Sequence, residues 1–391
     1  MLVMTRRQVI KTAALATATF AFASTGTKGS APLASDSSTP LPLAQRSFLL
    51  GLGHHPAHKK GETPADIQKA LGEAIDLAAR NSQVFSLWTM TEGWYEDWEK
   101  FYCRPTLEQR KALLRAYAAR NLTPIFNTNF WSISPTPTKG LELKLSVPPD
   151  LPPSTTMASV EFRKRWMAHV THVAREFQPA YFSLGNEIDS FYHYSPAQRQ
   201  DFDNYVSLVA DSYDAIQSVS PKTRVMIIFR YEEMVAKRGF DLINKIDFKK
   251  IDVFGFTTYP DLQGFASPAA MPPGYYRPIA ERVGNVPIAF TEIGWATLPD
   301  DPKGQQHQAE FLTRFLQETQ RMNLEMVVWP FLHDLAPPEE RAKRSSYLGL
   351  MDYYGNPKEV WGLWRKLAAL PFVKVADIHR LVNSSPLLLR R

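Results

Sequence analysis

One cysteine, Cys103, is all that this chain of 391 residues contains. A lone thiol forms no internal disulfide, and it cannot supply the cysteine ligands of a structural zinc site. Cys103 also lies too far into the chain to anchor a lipid, and no motif around it marks a nucleophile. We therefore expect a fold that depends on its hydrophobic core, with Cys103 as a structural thiol.

The chain also lacks a large excess of charge of either sign. The formal net charge is +6, and half of this surplus comes from Arg6, Arg7 and Lys11 near the N-terminus. No basic run and no RNA- or DNA-binding motif accompanies the remainder. The composition therefore argues against nucleic acid as a partner.

A long apolar run is missing as well. The apolar segment at residues 12–22 is shorter than the roughly 20 residues that a membrane-spanning helix needs. It follows Thr-Arg-Arg-Gln at residues 5–8 and runs into Ala-Phe-Ala at residues 21–23, an arrangement that resembles a twin-arginine export signal. A membrane anchor is the alternative to a cleaved signal.

These features divide the chain before any fold is considered. We expect a signal peptide at 1–23 and a flexible linker, rich in Ser, Thr, Ala and Pro, at 24–46. Export would make the protein periplasmic or extracellular, without stable membrane insertion after cleavage. The tail at 371–391 has no assignable role, and we expect a monomer.

Between residues 47 and 370, strand-like and helix-like segments alternate regularly. Strands are predicted at residues 47–53, 83–89, 123–131, 180–187, 224–230, 251–259, 287–292 and 325–332. Helices are predicted at residues 64–80, 106–120, 158–177, 195–219, 234–246, 276–283, 305–322 and 357–370, with a proline-rich loop at 132–156. Eight strand-then-helix units predict an α/β fold, a single-domain (β/α)₈ TIM barrel with long loops after some strands.

An open doubly wound sheet is the alternative fold. Such a sheet often carries a glycine-rich phosphate loop after its first strand. Residues 51–56 read Gly-Leu-Gly-His-His-Pro, with no third glycine before the proline. The pattern therefore favours the barrel.

Two of the predicted strands end on a glutamate, Glu187 on the fourth and Glu292 on the seventh. The carboxyl ends of all barrel strands open on one face, so the two side chains are expected to share that face. Hydrolysis of a glycosidic bond needs one carboxyl group to protonate the leaving oxygen and another to attack or stabilise the anomeric carbon. Ile288 and Phe290 share the parity of Glu292, so a bulge or a bulky interior layer is needed to turn Glu292 inward.

Around these glutamates the sequence resembles the clan A glycoside hydrolases. Gly-Asn-Glu-Ile at residues 185–188 is similar to the acid/base segment of endo-β-1,4-galactanases and endo-β-1,3-glucanases, and Thr-Glu-Ile-Gly-Trp at 291–295 to their nucleophile segment. The resemblance implies that Glu187 is the acid/base and Glu292 the nucleophile. It also implies that Asn186 binds the sugar 2-hydroxyl.

Two further positions follow from the same resemblance. Tyr259, after the sixth strand, matches the hydroxyl that orients the nucleophile, and Trp329, on the eighth, matches a tryptophan that forms the floor of the sugar site. The arginine that many clan members place near the end of strand two has no counterpart after Trp88. The exact family and some of its sugar contacts therefore stay open.

Other aromatic and polar residues near the strand ends are candidate sugar contacts. Trp88 and Trp295 could stack on a pyranose ring, with core packing as the alternative. Asn129 could bind a sugar hydroxyl, or make a hydrogen bond at the rim. His54 could touch substrate, although a satisfied rim histidine is the stronger interpretation, and no cluster with metal-ligand spacing surrounds it.

The resulting prediction is a retaining β-glycoside hydrolase that acts on a β-linked polysaccharide or oligosaccharide and needs no cofactor and no metal. A lone glutamate at a strand end is more often a salt-bridge partner, and its pairing with a second one favours catalysis. Rival carboxylates near strand ends are Asp189, Glu92, Glu232 and Asp261. The alternatives are a non-catalytic carbohydrate-binding or cell-envelope barrel, and a lyase or isomerase with a phosphate or metal site.

Overall fold

The computed structural model describes residues 40–89, 114–136, 140–148, 150–194, 201–340 and 342–373. The predicted signal peptide, most of the linker, and the positions of Glu92 and Cys103 lie outside these residues, as does the tail beyond 373. The side chain of Trp88 also lies outside the description. Within the described part of the chain, no helix is long and apolar enough to cross a membrane.

Eight parallel strands close into a barrel, which confirms the predicted (β/α)₈ fold. In sequence order the strands are β1 (Leu49–Leu52), β2 (Val84–Thr89), β3 (Thr123–Thr128), β6 (Tyr181–Ser183), β7 (Arg224–Arg230), β8 (Val253–Thr258), β9 (Ile288–Ile293) and β10 (Leu324–Trp329). Strand β1 pairs with β10 and closes the ring. The fourth and seventh barrel strands are therefore β6 and β9.

Helices surround the barrel. They are α1 (Pro64–Asn81), α2 (Val160–Phe177), α3 (Ile188–Tyr194), α4 (Phe202–Val219), α5 (Tyr231–Lys237), α6 (Asp241–Asn244), α7 (Arg277–Val283), α8 (Gly304–Thr319) and α9 (Glu359–Ala369). Residues 114–118 are helical too. The start of α1 shows why the local sequence folds this way, because Thr63 caps the helix together with Asp66 and Pro64 fills its first turn.

The barrel strands alternate between two apolar layers, as expected for strands covered on both sides. Mid-sized side chains fill most of the interior, and larger aromatic side chains such as Phe126 and Phe290 pack under the helices. Phe290, for example, lies 4.8 Å from the ring of Phe315 on α8. The interior layer comprises Val84, Ile125, Tyr181, Met226, Ile228, Val253, Ala289, Met326 and Val328.

Three predicted segments differ in the structure. The loop predicted at 132–156 contains an antiparallel hairpin, β4 (Trp131–Thr136) with β5 (Gly140–Leu145), whose Leu143 and Leu145 join the core. The helix predicted at 234–246 is two short helices, since Arg238 adopts a left-handed conformation with φ 52° that ends α5. Helix α3 precedes the helix predicted at 195–219, of which α4 supplies Phe202–Val219, while residues 195–200 lie outside the described part of the chain.

A polar cluster lies at the N-terminal end of the barrel strands. The Tyr181 hydroxyl donates a hydrogen bond to Glu325, and Arg224 forms an ion pair with the same carboxylate. Burial, followed by the bond to Glu325, raises the pKa of the Tyr181 phenol. The three side chains come from β6, β7 and β10, so they tie separate strands together at this end.

Candidate active site

Glu187 lies in the short turn between β6 and α3, at the C-terminal end of the barrel. Its backbone is in the left-handed region, with φ 50°, which is uncommon for a residue other than glycine. Such a conformation persists only where the surrounding structure fixes it, and it is found often at functional sites. The side chain is half-buried, so solvent still reaches it.

Asn186 precedes it and is buried, with 4% of its surface exposed. The backbone carbonyl of Asn186 accepts a hydrogen bond of 3.1 Å from the indole N–H of Trp131. Trp131 is the first residue of β4, so the hairpin after the third barrel strand is fastened to the turn that carries Glu187. The hairpin therefore supports the site from one side.

Glu292 reaches the same end of the barrel through an irregularity in β9. Phe256 on β8 pairs with Phe290, but the next residue, Thr257, pairs with Glu292. The pairing thus advances by two residues along β9 while it advances by one residue along β8, which defines a β-bulge. The bulge reverses the alternation after Phe290, so Glu292 can share the inward side with Thr257 while Phe290 stays under the helices.

Tyr259 lies beside Glu292. Its hydroxyl donates a hydrogen bond of 2.5 Å to Glu292 Oε2, and its ring is buried against Ala296 and Leu348. Gly294 permits this approach, because a Cβ at that position would lie 3.0 Å from the tyrosine ring. The glycine of the Glu-Ile-Gly-Trp segment therefore has a packing role next to the carboxylate.

Thr257 connects the two glutamates. It is fully buried, and its hydroxyl donates a hydrogen bond of 2.9 Å to Glu187 Oε1. Its register partner on β9 is Glu292. Adjacent strands are about 4.8 Å apart, so a group that contacts Glu187 and is the strand neighbour of Glu292 places both carboxylates in one small region.

Charged side chains surround the Glu187 end of this region. Burial opposes the charge of Arg230, but the nearby carboxylates of Glu187, Glu233, Glu232 and Asp189 raise its pKa above the ordinary value. Asp189 is fully buried and accepts the backbone N–H of Arg230 at 2.7 Å. Burial chiefly, and then the charge of Glu187, raises the pKa of the Asp189 carboxyl above its ordinary value.

The other rival carboxylates have structural partners. Glu232 accepts hydrogen bonds from the Thr258 hydroxyl at 2.5 Å and from the Tyr259 backbone N–H at 3.0 Å, and burial raises its pKa to about 7. Asp261 accepts the Ala296 N–H at 3.1 Å and pairs with Arg344 at 3.2 Å. Both therefore brace the loops that hold Tyr259 and the segment after Glu292.

The structure does not bring two of the predicted sugar platforms to this region. Trp329 is fully buried between β10 and the helices, 6.2 Å from the ring of Trp364, and its indole donates to the Leu348 carbonyl at 2.7 Å. Trp295 is 2% exposed and packs 5.9 Å from Phe311 on α8. Both indoles face the layer between strands and helices.

The remaining predicted contacts lie at the rim. Asn129 follows β3, donates to the Trp131 carbonyl at 3.3 Å, and has a buried Oδ1 without a hydrogen-bond partner among the described residues. His54 hydrogen-bonds Tyr117 at 2.9 Å and contacts the edge of Phe85, and burial lowers its pKa to about 3. In the part of the chain that is described, no three His, Cys, Asp or Glu side chains are grouped to hold a metal ion.

Sequence reasoning missed Thr257 and Arg230, although a signal for each was present. Thr257 lies two residues before Tyr259, on the opposite face of the strand from the large Phe256. A small polar residue at the inward end of an otherwise apolar strand indicates a site. Arg230 likewise ends a strand of five consecutive apolar residues.

Comparison with known proteins agrees with this geometry. Residues 160–327 match the model of Glycosyl hydrolase family 53, and this span contains both Glu187 and Glu292. No curated protein sequence matches the chain. Many solved structures share its fold.

Three of these structures illustrate the likeness. The exo-β-1,4-mannosidase from Opitutaceae bacterium strain TAV5 has a TM-score of 0.60 and 18% identity, over 86% of this chain and 62% of the mannosidase. A fungal β-1,4-galactanase has a TM-score of 0.54 and 14% identity, over 81% of this chain and 98% of its own. The family 53 catalytic domain from Ignisphaera aggregans has a TM-score of 0.52 and 14% identity, over 84% and 98%.

At these identities the structural likeness concerns the fold, and the chain spans less than two thirds of the mannosidase. The sequence match adds a likeness to a glycosyl hydrolase family, which the fold alone does not give. It covers the fourth to seventh barrel strands, where the two glutamates lie. The chain is therefore built on a (β/α)₈ barrel, and its residues 160–327 are similar to Glycosyl hydrolase family 53.

Proposed function

We propose that the protein is a retaining β-glycoside hydrolase that cleaves a β-linked polysaccharide or oligosaccharide by double displacement. The observation that carries this proposal is the position of Thr257, which hydrogen-bonds Glu187 and lies opposite Glu292 in the strand register, with the Tyr259 hydroxyl on Glu292. Retaining enzymes keep their two carboxyl groups about 5 to 5.5 Å apart, whereas inverting enzymes leave room for a water molecule between them. The hydrogen bond from Thr257 to Glu187, with Glu292 opposite Thr257 on the next strand, supports the shorter separation.

In the proposed first step, a Glu292 carboxylate oxygen attacks the anomeric carbon while Glu187 gives its proton to the leaving oxygen. A covalent glycosyl-enzyme forms on Glu292, and the electron pair of the broken bond stays with the protonated leaving group. In the second step Glu187, now a carboxylate, takes a proton from water, and that water displaces Glu292. Tyr259 orients the nucleophile in both steps.

The other site residues have narrower proposed roles. Asn186, next to Glu187, would bind the sugar 2-hydroxyl, as the resemblance to clan A implies. Asn129, at the rim, offers a buried oxygen that could accept a sugar hydroxyl. The mannosidase and galactanase relatives act on β-1,4 bonds according to their names, which supports a β-linked substrate.

Hydrolysis across a panel of β-linked glycans, including β-1,4-galactan, β-1,4-mannan and β-1,3-glucan, tests the proposal. Wild type is compared with Glu187→Ala and Glu292→Ala, and NMR follows the anomer released first. Glu73→Ala is the matched control, because this glutamate is 69% exposed on α1. We expect activity to be lost in both site variants, kept in the control, and to yield the retained anomer.

Either of two results would overturn the proposal. Turnover that survives one of the site substitutions would remove that glutamate from the mechanism. Binding of a glycan by wild type without any turnover would identify the chain as the non-catalytic carbohydrate-binding barrel.

We also propose that the protein is exported, because Thr-Arg-Arg-Gln and the apolar segment after it resemble a twin-arginine signal. Export would deliver the enzyme to polysaccharides outside the cytoplasm. Replacing Arg6 and Arg7 together by lysine is expected to leave the longer precursor inside the cell, as detected by cell fractionation. Equal export of this variant and wild type would contradict the proposal.

A further inference from the structure

Thr257 occupies a central place among the site residues. It lies on the inward side of β8, opposite in parity to Phe254 and Phe256, and its side chain is fully buried. In the strand register its neighbours are Arg230 on β7 and Glu292 on β9. A hydroxyl at this point is surrounded by the charged ends of three barrel strands.

The hydroxyl has a defined partner there. Thr257 Oγ1 donates to Glu187 Oε1 at 2.9 Å, and among the described residues it is the side chain that hydrogen-bonds this carboxylate. Oε1 of Glu187 accepts this hydrogen bond, so a proton on Oε1 would point at the hydrogen of the Thr257 hydroxyl. The transferable proton is therefore disfavoured on Oε1. The proton of a neutral Glu187 is therefore directed to Oε2.

We propose that Thr257 is a positioning residue for the acid/base: it holds Oε1 of Glu187, so that Oε2 carries the proton to the glycosidic oxygen. This inference rests on the proposed function. When the Oε2 proton moves to the leaving oxygen, the electron pair of that O–H bond stays on Glu187, and the Thr257 bond then meets a full carboxylate. A hydrogen bond to a charged acceptor is stronger than one to a neutral acceptor, so the contact favours the state after proton transfer.

The neighbouring threonine shows that the two positions have separate roles. Thr258 lies on the opposite face of β8 and donates to Glu232 Oε1 at 2.5 Å. Thr257 thus serves the acid/base, and Thr258 serves a buried carboxyl that holds the Tyr259 backbone. Of the two neighbouring threonines, Thr257 is the one that hydrogen-bonds Glu187.

The test compares Thr257→Val, which removes the hydroxyl but keeps the shape, with Thr257→Ser, which keeps the donor. Thr319→Val is the matched control, since Thr319 is equally buried but its hydroxyl donates only to the Phe315 carbonyl within α8. All other charged groups near Glu187 are the same in each variant. These groups are Asp189, Arg230, Glu232, Glu233 and Glu292.

The first measurement needs no substrate. Glutamate side-chain carboxyl carbons are labelled with ¹³C, the Glu187 signal is assigned with Glu187→Gln, and its shift is followed against pH. Without the hydrogen bond the carboxylate is less stabilised, so Thr257→Val is expected to move the titration midpoint of Glu187 up by roughly one pH unit. Thr257→Ser and Thr319→Val are expected to leave it in place. An unchanged midpoint in Thr257→Val would overturn the inference.

The second measurement uses the glycan that the panel identifies and a 2,4-dinitrophenyl glycoside of the same sugar. Departure of dinitrophenolate needs little help from a general acid. A less effective general acid therefore slows hydrolysis of the glycan strongly and hydrolysis of the aryl glycoside only weakly. Thr257→Val is expected to lose about 10- to 100-fold in kcat/KM on the glycan but less than about threefold on the aryl glycoside, with the alkaline limb of the pH profile moved upward. Thr257→Ser restores the glycan activity.

The outcomes of these measurements distinguish the positioning role of Thr257 from the proposed hydrolase activity. Equal losses on both substrates with an unmoved alkaline limb would reduce Thr257 to a structural residue, although the hydrolase would stand. A moved Glu187 midpoint in a protein that hydrolyses no glycan would remove the proposed function, and with it the role of Thr257 in a reaction, while the hydrogen bond itself would stand.

Discussion

Each end of the barrel holds a glutamate beside a tyrosine, and the two pairs have different surroundings. At the N-terminal end, Glu325 accepts from Tyr181 and also meets the guanidinium of Arg224. At the C-terminal end, Glu292 accepts from Tyr259. A guanidinium neutralises the charge of a carboxylate, whereas a phenol orients a carboxylate through a hydrogen bond.

The carboxyls around these pairs sharpen the contrast. The C-terminal end also contains buried Asp189 and Glu232, whose pKa values are raised chiefly by burial. A buried carboxyl group whose folded pKa is raised costs stability when it ionises. The barrel therefore tolerates acid groups at the end that holds the proposed active site, and closes the other end with an ion pair that links strands.

Glu292→Gln and Glu325→Gln together give the largest expected difference between the ends. Glu292→Gln should lower kcat/KM by on the order of 10⁴-fold or more, because the nucleophile is gone, and should fold normally. Glu325→Gln should keep kcat/KM but lose about 1 to 2 kcal/mol of unfolding free energy, since Arg224 is then left unpaired and only partly solvated. Glycan hydrolysis and urea unfolding measure the two quantities. Equal activity losses in the two variants would remove the distinction.

The buried acid Glu232 predicts how stability depends on pH. Its folded pKa of about 7 exceeds the unfolded value of 4.5, so its contribution is fully present below about pH 4.5 and is lost as the pH rises through about 7. The loss amounts to about 3 kcal/mol. Glu232→Gln should therefore flatten the decline of the unfolding free energy between these pH values, measured by urea unfolding.

Exposed Glu73 provides the control for that experiment, because Glu73→Gln should give a curve parallel to that of wild type. A decline of the same size in Glu232→Gln would mean that another group causes it.

Replacement of the two tyrosines by phenylalanine gives the smallest expected difference between the two ends of the barrel. Tyr259→Phe should lower kcat by about 10- to 100-fold, because the nucleophile loses the hydrogen bond that orients it. Tyr181→Phe should leave kcat unchanged and lower the unfolding free energy by about 1 to 2 kcal/mol, through loss of a bond to a charged acceptor. Steady-state kinetics and thermal unfolding separate them. An unchanged kcat in Tyr259→Phe would show that the contact does not orient Glu292 during the reaction.

Much of the fold could be read from the sequence because the barrel strands are strongly apolar and their boundaries carry clear signals. Strand β7 begins and ends where the pattern predicts, at Arg224 and Arg230. The hairpin at Trp131–Thr136 and Gly140–Leu145 was missed because proline at 135 argues against a strand, yet an isolated two-stranded pair has edges that tolerate proline. The break at Arg238 was missed because only the backbone reveals its left-handed conformation.

The candidate site was predicted from the sequence about as well as the fold was. The segments carrying Glu187 and Glu292 were located from their apolar runs, and Tyr259 was placed beside Glu292 by resemblance. The strand predicted to end on Glu187 stops at Ser183, however, and Glu187 lies in the turn that follows. Trp329 could have been assigned to the helix side, because Met326 and Val328 share the opposite parity and point into the barrel. Thr257 could not be linked to Glu187 from sequence, because 70 residues separate them and only the closed barrel brings them together.

The bulge in β9 has a practical consequence for anyone who redesigns this barrel. Strict alternation after Ile288 and Phe290 would assign position 292 to the helix-facing core, and a packing algorithm that idealises the strand would place an apolar side chain there. The protein would gain a more regular core and lose its proposed nucleophile. The extra residue in the strand thus separates the positions that can be optimised for stability from the one that must be left alone.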